Sequence, residues 1–145
     1  MKYIVLLCAL VAVGCGGTTT TPAVQDNSTA VPYFYSGTMD VNGGITVAFT
    51  TSKADILTVT LQSVTSGTTI STANPPLAVP LGLAYGVASS DGSTCTPSQA
   101  PVPFAPGFTA QLAVASVPAG PTCVQVVDVG NLTGPVSFVF RVVHH

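Results

Sequence analysis

From about Val31 to Val143, large apolar side chains return at every second position in short runs. A period of two marks a strand with one face buried and the other in water. In "ITVAFTTS", Ile45, Val47 and Phe49 share one face. In "DILTVTLQSV", Leu57, Val59 and Leu61 point inward, and Thr58, Thr60 and Gln62 outward. "VPLGLAYGVAS" puts Leu81, Leu83, Tyr85 and Val87 on one face. Its other face holds Gly82, Ala84, Gly86 and Ala88, small enough for another layer to approach closely. "PVSFVFRVV" carries the strongest row, Val136, Phe138, Phe140 and Val142, with Ser137 and Arg141 outward. Such a row belongs on the inner face of a central strand, because a slip of one residue would expose all of it. "YFYSGTMDV", "TAQLAVASV" and "TCVQVVDV" bring the set to about seven strands. Turn signals separate them, and the stretches around Asn74-Pro75-Pro76 and from Ser89 to Pro106 read as Pro-rich loops. No run has the helical period. The pattern predicts an all-β fold, an antiparallel β-sandwich over residues 31–145.

The first thirty positions obey a different logic. Lys2 precedes "YIVLLCALVAV", an apolar run roughly half the length of the 20 or so residues that span a bilayer. Its length and flanks are those of a secretory signal. Cys8 lies inside that run and leaves with it. From Gly16 to Ala30, "GGTTTTPAVQDNSTA" has no apolar period and reads as a flexible tether. The expected division is a signal over 1–14, a cysteine-led tether over 15–30 and the domain over 31–145.

At the junction stands "AVGC", Ala12 to Cys15. It resembles the lipobox of bacterial lipoproteins: small apolar residues, Gly just before the cut and Cys just after it. The resemblance implies a diacylglyceryl group on the Cys15 thiol and cleavage after Gly14. Two or more acyl chains anchor stably, at about 0.8 kcal/mol per buried methylene. By that family's sorting rule, Gly16 rather than Asp after the cysteine implies the outer membrane or cell surface. Ala12 departs from the commonest residue, Leu. The competing reading is an ordinary signal with a chance cysteine. The closing segment, "VPAGPTCVQVVDVGNLTGPVSFVFRVV", resembles the bacterial pre-peptidase C-terminal domain, with an Ala119-Gly120 turn, inward Val124 and Val126, a Gly130-Asn131 turn and a last strand. The likeness spans about Tyr33 to Val143. "LGLAYG" lacks the acidic element common in that family's central strand, so no calcium site is carried over.

Charge narrows the choice of partners. In 145 residues there are three basic side chains (Lys2, Lys53, Arg141), five Asp and no Glu. That excludes the electrostatic footprint of a nucleic-acid binder. Solubility then rests on Thr, Ser, Asn and Gln. With Cys8 removed and Cys15 acylated, Cys95 and Cys123 remain as an even pair. Export to an oxidising compartment favours a disulfide between them. It would close a loop of about 29 residues, worth about 3.5 kcal/mol by chain entropy. Cys123 alternates with Val124 and Val126, so the bond is expected on the outside of the sheet. A metal site is the weaker alternative, because two sulfurs need two more ligands.

No catalytic constellation stands out. The histidines are the adjacent pair His144 and His145 at the end of the chain, which read as a solvated tail. No "G-x-S-x-G" elbow occurs. Asp91-Gly92-Ser93 offers one carboxylate, far short of a calcium cage, and reads as a turn. Asp40 and Asp128 end strands before turns. The aromatic cluster Tyr33 to Tyr35 offers a binding surface through Tyr33 and Tyr35, since aromatic rings stack on sugars and anchor partners. The competing reading puts Phe34 in the core with the tyrosines capping a sheet edge. The expectation is a non-enzymatic, lipid-anchored envelope protein. It needs no cofactor and no metal, and its partners are the membrane and a glycan or an envelope protein. A secreted accessory enzyme or an enzyme inhibitor acting through loop residues is the alternative.

Overall fold

The structure, a computed structural model, describes residues 30–71 and 73–144. The expected signal, Cys15 and all but the last residue of the expected tether lie outside the described residues, as does His145. Nine strands follow one another without a helix: β1 (Val31–Met39), β2 (Gly44–Thr51), β3 (Asp55–Ser66), β4 (Leu81–Ala88), β5 (Cys95–Pro97), β6 (Val102–Phe104), β7 (Leu112–Val117), β8 (Gly120–Val127) and β9 (Val136–His144). They form two antiparallel sheets. Sheet A has the order β1-β9-β3-β7; sheet B has the order β2-β8-β4-β5, with β6 also on β4. The fold is a β-sandwich.

The chain changes sheet at nearly every long connection, and the alternation explains why. Each strand has one apolar face, and two such sheets bury those faces against each other. β9 supplies Val136, Phe138, Phe140 and Val142, and β3 supplies Leu57, Val59, Leu61 and Val64. Sheet B answers with Leu81, Leu83, Val124 and Val126. Ile45, Val47 and Phe49 of β2 pack half-buried at the edge. As expected, β9 is central, paired to β1 on one side and β3 on the other. The inward row of β3 shifts from Leu61 to Val64 because a bulge separates Leu61 from Ser63, leaving Gln62 as the extra residue.

Four expectations change. The strand count is nine, because the Ser89–Pro106 stretch holds β5 and β6, each three residues long. Pro76 forms a bridge to Thr65, so that region is tied to the sheet. Thr60, expected outward in water, is 1% exposed, at the place where the chain leading into β7 folds against β3 and Gly107 N donates to the Leu61 carbonyl. Val87, expected inward, is 55% exposed, next to the last residue of β4, where the strand gives way to the Ser89–Gly92 turn.

Candidate functional site

Directly opposed residues of antiparallel strands share a face, so the register of sheet A fixes its outer surface. One row is Phe34, Arg141 and Thr60 across β1, β9 and β3. The next is Ser36, Val139 and Ser63, and the third is Thr38, Ser137 and Thr65. On the other side of Arg141 come Pro32, Val143 and Thr58. Seven of these twelve positions carry hydroxyls, none carries a carboxylate, and Arg141 is the one cation among them.

The segment after β3 folds back over the third row. Gly67, at φ 86°, donates its N–H to the Pro135 carbonyl at 2.9 Å. Ser137 Oγ donates to the Gly67 carbonyl at 2.8 Å, and Asn74 Nδ2 to the Thr69 carbonyl at 2.5 Å. Leu77 N closes the segment onto the Val64 carbonyl at 2.8 Å. Between this strap and the sheet lies a groove of about 430 Å³. Its floor is Ser63, Thr65, Ser137 and Val139, and its wall Ile70, Ser71, Asn74 and Pro76. The volume is in the range of small-molecule sites. None of these side chains titrates. Arg141 stands one row beyond Val139, about 7 Å along the strand.

The aromatic cluster divides between the faces. Phe34 is 61% exposed on the outer face, which corrects its placement in the core. Tyr33 and Tyr35 point to the opposite side of β1. Tyr35 is half-buried and stacked on Phe140 at 5.3 Å; burial, with the Tyr33 hydroxyl nearby, pushes its phenol up. Tyr33, 44% exposed, stacks on His144 at 5.3 Å. His144 in turn stacks on Phe49 at 4.5 Å. This residue is therefore no solvated tail: β9 runs through it, and its ring joins β1 to β2 across the end of the core. No protein-family model matches the chain, and no curated protein matches it in sequence.

The remaining candidates resolve into structural roles. Cys95 and Cys123 lie at disulfide-bonding distance, with Cα atoms 5.9 Å apart. β4 separates their strands in the sheet order, so a flat sheet would hold them roughly two strand spacings, about 9.6 Å, apart. β5 therefore climbs over the outer face of β4. It does so at Gly86, where an added Cβ would lie 2.0 Å from the Thr96 carbonyl oxygen. Cys123 is fully buried beneath it.

Asp91 accepts from Ser89 Oγ at 2.5 Å, from Ser93 N at 3.1 Å and from Ser93 Oγ at 2.8 Å. Chiefly through the Ser89 hydroxyl, its carboxyl is lowered to about 2. Asp128 is pulled up by partial desolvation but ends below the ordinary value, because backbone N–H groups of Asn42, Asn131, Leu132 and Gly130 all donate to it. It thereby ties the β1–β2 turn, where Asn42 has φ 59°, to the turn after β8. Among the described residues, no group of three or more His, Cys, Asp or Glu is placed to hold a metal. The groove was out of reach of sequence reading, because its wall is irregular chain and its floor joins strands more than 70 residues apart.

Proposed function

We propose that the chain is a non-catalytic binding module of a bacterial cell envelope, held to the membrane by lipid on Cys15, and that it presents the outer face of sheet A to its ligand. The observation that carries the binding role is that face. It combines a sized groove, a hydroxyl-lined floor and one guanidinium, with no general acid or base among the lining residues. The "AVGC" junction after a short apolar run supports the anchor. The Cys95–Cys123 geometry supports an oxidising destination. The two-sheet architecture supports the likeness to the pre-peptidase C-terminal domain. A glycan or an envelope protein is the class of ligand for such a surface.

Two measurements test the two halves. Full-length protein and its Cys15→Ala variant are expressed in a bacterial host with labelled palmitate. Label is expected in the parent only; label in both or in neither overturns the anchor. For the face, Ser63→Tyr fills the groove from its floor. The parent is expected to bind a component of an envelope glycan and protein panel that this variant no longer binds, with unchanged melting. Equal binding by both proteins overturns the assignment of the face.

A further inference from the structure

Two polar atoms on the binding face are buried and have no hydrogen-bond partner among the described residues: Thr60 Oγ1 and Arg141 Nε. They belong to directly opposed residues of β3 and β9, whose Cβ atoms in such a pair stand about 5 Å apart. A buried polar group without a partner is destabilising and calls for an explanation, an unseen ligand among them. Phe34 flanks Arg141 from the other strand, and its ring is open to solvent. The three side chains lie in one line across the sheet. We propose that this line is an acidic-sugar site, in which Arg141 takes the carboxylate of a uronic acid and Phe34 stacks on the sugar ring.

The chemistry follows from the parts. A carboxylate meets a guanidinium through two parallel N–H donors, and side-on engagement uses Nε with one terminal nitrogen. Nε is covered in the free protein, so the Arg141 side chain swings outward as the carboxylate gives Nε the acceptor it lacks. The exposed Phe34 face suits the C–H face of a pyranose, and the hydroxyls of the next two rows suit its hydroxyl groups. None of the twelve outer positions of β1, β9 and β3 carries a carboxylate to compete for Arg141. The groove beyond Val139 continues the surface for a neighbouring sugar unit. A neutral sugar would leave the guanidinium unmatched, so the site selects for charge. The inference rests on the reading of this face as the binding surface.

The test uses the full chain, purified in detergent, titrated calorimetrically with a short oligogalacturonide and with its methyl ester, in which the carboxylates are neutral. The acid form is expected to bind and to weaken with added salt; the ester is expected to bind at least tenfold more weakly. Arg141→Gln is expected to weaken the acid form about ten- to hundredfold and to leave the ester unchanged. Arg141→Lys is expected to restore only part, because the charge returns without the fork. Thr60→Val is expected to leave binding of the acid form unchanged, since that side chain is sealed, and to melt at or above the parent temperature, since the lost hydroxyl had no partner. Equal binding of acid and ester, or an unchanged Arg141→Gln, overturns the acidic-sugar site; loss of that binding in Ser63→Tyr would then leave the face reading standing. If neither saccharide binds, or if only an acidic peptide does, the sugar inference falls, and the envelope panel alone judges the face.

Discussion

At Asp91 three donors from Ser89 and Ser93 converge on one exposed carboxylate and hold it at about 2, below its ordinary 3.8. A carboxylate lowered on folding contributes fully above its unfolded value and stops contributing as pH falls through the folded one. The turn after β4 is therefore expected to loosen only between about pH 4 and pH 2. Ser89→Ala should raise the Asp91 value toward 3.8, which an NMR titration of the side-chain carboxyl reads directly. The core residues behave more simply. Phe138 and Phe140 are sealed from solvent on a central strand, so truncating either to Ala should cost about 3–5 kcal/mol in denaturant unfolding. Removing His144 should cost about 1 kcal/mol through the lost stacks on Tyr33 and Phe49. The Phe row was legible because large apolar and smaller polar residues alternate cleanly. The side on which Phe34 falls was not, because "YFY" is aromatic at both parities. The sealing of Thr60 was not legible either, because the segment that folds against β3 there, around Gly107, is remote in sequence.

Among the elements, β5 shows how a short strand escapes notice. Three residues carry too little alternation to declare a strand, and Pro97 in it reads as loop. Yet the small-residue face of β4 did announce a close approach, and Gly86 is where it happens. Gly82 is similar: a Cβ there would meet Val129 at 2.6 Å and Pro101 at 2.9 Å. In Gly86→Ala the new methyl would run into main chain, which cannot rotate away. β5 should then lift from β4, and Cys95 and Cys123 should separate. Alkylation of the purified, non-reduced protein followed by peptide mass spectrometry should find both thiols labelled in the variant and a linked peptide in the parent. Replacing both cysteines by Ser should lower stability by about 2–4 kcal/mol while leaving the β4–β8 pairing in place.

For the whole molecule, the number of sheets and the faces of the long strands were legible, because burying one apolar face per strand leaves few other architectures. Which strands pair was not. Nothing in local alternation says that β1 lies beside β9, or that Phe34, Arg141 and Thr60 meet, and so the candidate site could not be assembled from the sequence. The pairing of β1 with β9 also has a consequence in time. Sheet A is built around its last strand, with β1 and β3 both hydrogen-bonded to β9 and not to each other. Until β9 has left the ribosome, β1 has no ladder partner and the inner face of β3 has lost its neighbouring row. Such long-range pairing folds slowly. A chain ending at Gly134 should accordingly show no cooperative melting transition by circular dichroism. A chain that has not yet made β9 cannot lock into a compact shape, and so the earlier strands stay open and pliable until β9 arrives to clasp them.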